Sequence, residues 1–176
     1  MGHQDILEDL AGWQSEFEAG WYKEYQDTGV MNWKKYKRPT NQNAPSGKAV
    51  KLSNSKVGLI SSGGFYLPDS QPPFDAENDL GDYTLRKIPW HTSFDDIAIA
   101  HTHYDHTAVN QDSEILWPVG HLAAFVEEGI IGSVAEHAFS FSGYLPMAHR
   151  TVNELIPEVV ATAKTEGLDA AFLVPA

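Results

Sequence analysis

The sequence predicts an α/β domain with a largely parallel sheet flanked by helices, preceded by an N-terminal amphipathic helix. Three observations lead there. Short apolar runs at residues 57–60, 97–100 and 170–174 have the length and composition of buried strands. Segments of helical periodicity, at residues 118–129 and 151–167, stand between them, and such alternation implies parallel strands covered on both faces. Small residues follow the first run at once, as they do where a chain turns at the carboxyl edge of a parallel sheet.

Taken in order, Ile6, Leu10, Trp13, Phe17, Trp21 and Tyr25 recur at three- and four-residue steps. They predict a helix over residues 5–27 with an aromatic face, ended by Gly29. Such a face either docks another subunit, which would make the chain a non-catalytic docking scaffold, or packs on its own domain, and the second is the expectation. Lys34, Lys35, Lys37 and Arg38 form a basic cluster interleaved with Trp33 and Tyr36, read as a solvated linker. Residues 39–47, rich in Asn, Pro and Ser, read as a loop. The chain thus divides into a helix and linker over 1–47 and an α/β domain over 48–176.

Val57-Gly58-Leu59-Ile60 opens that domain as a strand and runs into the turn Ser61-Ser62-Gly63-Gly64. The turn lacks the dinucleotide fingerprint and the Lys-Ser/Thr of a phosphate loop, so its glycines are expected to supply positive φ or close backbone approach. Residues 83–88 alternate as a strand, and 97–101 read as a buried one. Pro118 suits the first turn of a helix that Gly129 ends. Residues 137–141 read as a strand. Thr151 is placed to cap a helix through Leu155, Val159, Val160 and Ala163, with Pro157 either kinking it or marking its start. A last strand spans 170–174. Beyond the carboxyl ends of these strands, Gly63-Gly64, His101 to Asp105 and Ser142-Gly143 are expected to converge.

Composition narrows the function classes. With 42% hydrophobic residues and no low-complexity tract, the chain is globular. Its 24 acidic against 12 basic residues argue against nucleic-acid or anionic-membrane partners. The absence of cysteine excludes disulfides, thiolate metal sites and a cysteine nucleophile within these residues. No run approaches the roughly 20 apolar residues of a membrane span, and the N-terminus lacks a signal-peptide pattern, so a cytoplasmic location is expected.

The densest chemistry lies in His101-Thr102-His103-Tyr104-Asp105-His106. Imidazoles and a carboxylate at this spacing suit zinc, and the pattern resembles the first metal signature of the metallo-β-lactamase superfamily. On that reading His101, His103, Asp105 and His106 hold a metal that activates water for hydrolysis. The further ligands it needs would come from His121, His137 or His149. His121 falls in a helical pattern, none of the three has the Gly-rich setting that superfamily uses, and Thr107-Ala108-Val109 replaces its usual small residue.

A longer ordered set of motifs points elsewhere: residues 59–64, Gly81-Asp82-Tyr83-Thr84-Leu85-Arg86-Lys87-Ile88-Pro89, residues 101–112, and residues 118–132 with Gly143. Over about residues 56–176 the chain resembles the glycine, sarcosine and betaine reductase selenoprotein B family, particularly its D-proline reductase type. In the tract the resemblance rests on His101, Tyr104, Asp105, Asn110 and Asp112, and does not require histidine at 103 and 106. It implies an oxidoreductase that cleaves a C–N bond in an amino acid or N-methylated derivative. His101, Tyr104 and Asp105 become candidate catalytic residues, and Gly63, Gly64, Asn110, Asp112 and Gly143 candidate substrate-binding positions. His101 either performs acid–base or orienting work or is a histidine satisfied by backbone at a strand end. Asp105 and Asp112 either meet the substrate ammonium or cap the following turns, and Tyr104 reads as packing.

The resemblance also implies partners: other reductase subunits, one carrying a pyruvoyl group that engages the substrate amine, and a thiol-based electron donor. It places the decisive selenocysteine or cysteine just after the strand that ends at Val174, with a resolving cysteine nearby. A highly ionised chalcogen is the nucleophile such chemistry needs. Ala176 is the last residue here, so the expectation is a longer selenoprotein whose frame continues through a UGA codon, with a partial clone or a true end as alternatives. The 176 residues alone are then expected to be marginally stable or to self-associate.

Overall fold

The computed structural model describes residues 7–43, 47 and 49–176. In chain order its helices are α1 (Leu10–Phe17), α2 (Lys23–Thr28), α3 (Thr107–Gln111), α4 (Val119–Glu127), α5 (Ala148–Arg150) and α6 (Ile156–Thr165). Its strands are β1 (Lys56–Ser61), β2 (Phe65–Tyr66), β3 (Arg86–Pro89), β4 (Ala98–Ile99), β5 (Ser133–Val134), β6 (His137–Ser140) and β7 (Ala170–Val174).

The predicted fold class holds. β1 is the centre of the main sheet, paired in parallel with β7 along one side, from Val57 against Ala170 to Ser61 against Val174. On its other side β5 takes the first residues and β6 the last, also in parallel. β3 then adds antiparallel to β6. Alternation sorts β1 between two cores. Val57 and Leu59 face a layer containing Leu122 of α4, Val109 of α3 and Trp117. Ile60 faces Phe17, Trp21 and Leu155, with Phe139 beside it. Leu59 and Phe139 are fully buried, and each such side chain stabilises by about 1.5–3 kcal/mol relative to an exposed one.

The aromatic N-terminal helix packs on its own domain, as expected. α1 and α2 form one rod joined by a π-helical turn, Glu18–Tyr22, which contains Gly20. Asp9 caps it through the Gly12 amide, and Gly29 ends it at φ 68°. The start of the predicted helix at residues 5 and 6 lies outside the described residues. Residues 33–38 fold back over this rod rather than running free: Lys35 and Lys37 pair with Glu24 and Glu16, each at 2.6 Å, while Trp33 and Tyr36 pack against Trp21. The basic side chains are solvated, as expected, while the segment itself is tied to the rod.

Three other predicted elements differ. Tyr83 and Leu85 are buried, with Thr84 exposed between them, yet residues 83–85 are not a strand, because the sheet hydrogen bonds begin only at Arg86. Residues 97–101 do not form a buried strand of the main sheet. Only Ala98 and Ile99 pair, antiparallel to β2 in a separate two-stranded sheet, because the turn at Gly63-Gly64 brings Phe65-Tyr66 back alongside them. Thr151 is not a cap but the first residue of a π-helical turn, Thr151–Leu155, that continues α5 into α6. Pro157 stands two residues beyond the turn and has no N–H for an i−4 bond, so the wider turn falls where the regular ladder would break. Among the described residues no helix is long and apolar enough to cross a membrane.

Candidate functional site

The carboxyl edge of the main sheet is welded to the histidine tract by the turn after β1. Gly63 bridges to Ser142, and the Gly64 amide donates to the Phe141 carbonyl at 3.0 Å. The Ala100 amide donates to the Gly64 carbonyl at 2.9 Å, and the Tyr104 hydroxyl donates to the Gly63 carbonyl at 3.0 Å. Gly64 adopts φ 73°, and a Cβ there would lie 2.7 Å from the Ala100 oxygen. Both expected uses of glycine, left-handed backbone and close approach, coincide at this residue. Gly63, Gly64, His101 and Gly143 are thus brought to one edge, although His101 arrives by way of the small sheet.

The segment after β7 reaches the same edge. The Ser62 amide donates to the Val174 carbonyl at 3.0 Å, and the Ala176 amide donates to Ser62 Oγ at 2.8 Å. Gly143 closes on the same residue, its amide donating to the Ser62 carbonyl at 3.0 Å. Ser61, Ser140 and Ser142 are buried around this junction. Ser61 Oγ accepts from the Gly63 amide, and Ser140 Oγ from Phe65. The sequence placed Ser61 and Ser142 at this edge but assigned their hydroxyls, and that of Ser140, no part in holding it. The signal was the recurrence of Ser at strand ends, in Ser61-Ser62 and Ser140-Phe141-Ser142.

His101 is buried, with its Nδ1 accepting from the His103 amide at 3.1 Å. That contact places the ring proton of the neutral form on Nε2, an assignment from hydrogen bonding. Burial, with smaller contributions from the charges of His103 and His106, pulls its pKa from 6.5 down to about 4. At neutral pH His101 is an uncharged imidazole offering an N–H, suited to donating a hydrogen bond rather than to supplying positive charge. Tyr104 lies against it, ring centroids 4.8 Å apart, and burial raises the phenol to about 12, so it remains protonated.

The sign of the pH dependence follows. The unfolded chain protonates His101 near 6.5, the folded one only near 4. Its contribution to stability is therefore complete above pH 6.5 and is lost as pH falls toward 4, a change of order 3 kcal/mol. Denaturant melts between pH 4 and 7 should give a shallower slope for His101→Gln than for the wild type. Equal slopes would refute the assignment.

Among the described residues, the donor atoms of the tract's histidines and Asp105 do not form a group of three within 4.8 Å of one another. Asp105, exposed, accepts from the Thr107 amide at 2.9 Å and from its hydroxyl at 2.7 Å, bonds that hold its carboxyl below the usual range. His103 stacks on Tyr144, centroids 3.7 Å apart. Among the described residues, the His, Asp and Glu donor atoms that lie within 4.8 Å of one another are those of Glu136, His137 and Glu166. Both Glu166 oxygens there are already engaged, by the Glu136 amide at 3.1 Å and His137 Nδ1 at 2.7 Å. That group ties the start of β6 to the end of α6, away from the carboxyl edge. Asp112 accepts from the Glu114 amide at 3.0 Å as a cap, and Asn110 is exposed on α3. Neither is drawn into the junction at Ser62.

Comparison with known proteins agrees with the motifs. The profile described as glycine/sarcosine/betaine reductase selenoprotein B matches residues 31–176, taking in the segment at 33–38 that the motifs left outside. The chain is 28% identical over 122 residues to D-proline reductase subunit gamma of Acetoanaerobium sticklandii, covering 69% of this chain and 49% of that protein. It is also 28% identical over 145 residues to glycine reductase complex component B subunit gamma of Peptoclostridium acidaminophilum, covering 78% and 32% respectively. The chain thus spans about half the length of the first relative and about a third of the second. No solved structure gives a significant match.

Proposed function

This chain belongs to the glycine/sarcosine/betaine reductase selenoprotein B family, and we propose that it supplies the sheet-edge half of a site for reductive C–N cleavage in an amino acid or N-methylated amino acid. Its relatives are subunits of reductase complexes, so other reductase subunits are its natural partners. The observation that carries the reading is the meeting of the Gly63-Gly64 turn, Gly143 and the Pro175-Ala176 segment at Ser62. A chalcogen nucleophile, selenocysteine or cysteine, brought to this edge would face the Gly63-Gly64 turn and Gly143. The chain has no cysteine of its own for that task.

The overall reaction replaces the substrate's C–N bond by C–H and N–H, taking up two electrons and two protons. The electrons come from a thiol-based donor, two thiols becoming one disulfide. A pyruvoyl group on a partner subunit would supply a carbonyl to engage the substrate nitrogen. Within this chain, neutral His101 offers a hydrogen bond through Nε2, and the Tyr104 hydroxyl fixes the Gly63 carbonyl of the turn.

The test is capture of the assembled complex from its own cells by a tag on this chain, followed by assay with a dithiol. D-proline, sarcosine, glycine and betaine are the substrates to offer. Stoichiometric dithiol oxidation with release or ring-opening of the amine is expected. Absence of turnover with all four, from a complex containing the tagged chain, would overturn the reading.

A further inference from the structure

Beside Gly143 the folded-back segment leaves an open cleft of about 570 Å³, lined by Trp33, Tyr36 and Arg38 on one side and by Gly143, Tyr144 and Pro146 on the other. Its volume is within the range of small-molecule sites. The aromatic walls are held in place. The Tyr36 hydroxyl donates to the Pro146 carbonyl at 2.8 Å, and the Tyr144 hydroxyl to the Asp79 carbonyl at 2.9 Å. Trp33 meets Tyr36 and Tyr144 edge to face, at 5.4 and 5.9 Å.

With both phenols committed, Arg38 is the charged group left to meet a ligand. Its basic neighbours Lys35 and Lys37 have carboxylate partners within 4 Å, whereas Arg38 has none among the described residues. In a chain of net charge −12, Arg38 is the cation that lines this aromatic cleft. A guanidinium fork recognises carboxylate in a bidentate manner, and aromatic faces attract ammonium or alkylammonium groups. Both halves of a zwitterion are therefore provided for.

The cleft also adjoins the site already described. Gly143 lies where a Cβ would come within 3.0 Å of Ser62 Oγ, the atom that accepts from the Ala176 amide. Tyr144 is backed on its other side by His103 of the histidine tract. We propose that this cleft is the substrate-binding pocket's carboxylate subsite, in which Arg38 holds the carboxylate of a small amino acid while Trp33, Tyr36 and Tyr144 surround its nitrogen. The inference rests on the reductase reading and assigns its specificity to a segment outside the histidine tract.

Calorimetric titration of the purified chain with D-proline, and with pyrrolidine as the same ring without the carboxylate, tests it. D-proline should bind and pyrrolidine should bind at least tenfold more weakly. Arg38→Gln should weaken D-proline binding roughly tenfold or more, the usual loss for a hydrogen-bonded charge, with Arg38→Lys intermediate because it keeps the charge and loses the fork. Arg38 is exposed, so its melting temperature should not move. Equal affinity of wild type and Arg38→Gln, equal affinity for the two probes, or no binding of D-proline, sarcosine or betaine overturns the inference. In the assembled complex, turnover with an unchanged KM in Arg38→Gln would overturn it while leaving the reductase reading intact. Arg38-dependent binding by a complex without turnover would do the reverse.

Discussion

Gly64→Ala is expected to lower the melting temperature by roughly 6–12 °C, the equivalent of about 3 kcal/mol in a chain of this size. Two costs add at this residue. The left-handed backbone at φ 73° penalises any Cβ by about 1–2 kcal/mol. The new atom would also lie 2.7 Å from the Ala100 oxygen and 2.9 Å from His101 Cβ, so the histidine tract must retreat or the turn must open. Gly129→Ala separates the two. Gly129 has nearly the same conformation, φ 69°, with nothing within 4 Å of its Cβ position, and should lose only the backbone part. If Gly64→Ala melts no lower than Gly129→Ala, the close approach is not what this turn requires. A second consequence follows from the hydrogen bonds through Gly64: displacement of the tract should expose His101 and raise its pKa toward 6.5.

What the sequence made legible is what local pattern encodes. The apolar run at β1 and the Gly-Gly turn after it, the strand at β6, and the ends of two helices at Gly29 and Gly129 all depend on residues within a few positions of one another. Each was found where periodicity and glycine placement put it. The misreadings depend on distant partners. Residues 97–101 have the composition of a core strand, yet the strand they meet is Phe65-Tyr66, returned by the turn. The lysines at 34–37 suggested a solvated linker; their side chains are solvated, yet two of them tie the segment to carboxylates on the helix before it. The candidate site divides the same way. Gly63 and Gly64 carry a local backbone signature. The stacking of His103 on Tyr144 and the closing of Trp33, Tyr36 and Arg38 against Tyr144 and Pro146 join residues more than 40 or 100 positions apart, which no local spacing marks. The histidine-rich tract drew attention through its composition, while its geometry gives a role at the turn chiefly to His101 and Tyr104.

The wild-type chain is expected to self-associate at on the order of 100 µM, and Leu173→Lys to shift it toward monomer by at least tenfold in dissociation constant. β7 pairs with β1 on one side, and among the described residues no strand pairs with its other side. Its sequence, Ala170-Ala171-Phe172-Leu173-Val174, is that of a strand buried on both faces, yet Phe172 is 46% and Leu173 68% exposed. The apolar surface continues beyond the strand, because Ile115 and Phe125 are also exposed and border the same groove as Pro118 and Leu122. An apolar edge with unpaired backbone groups is a template for strand addition. Lysine at 173 would oppose that pairing through charge and desolvation. Since the position is already largely solvated, it should change the melting temperature little. Sedimentation velocity over a concentration series decides the matter. A wild-type chain that stays monomeric throughout, or a Leu173→Lys chain that associates as strongly, would remove β7 as the contact. In the assembled reductase complex the same edge should be covered, so hydrogen exchange at Ala170–Val174 should slow when the complex forms. If it does not, the partner subunits bind elsewhere.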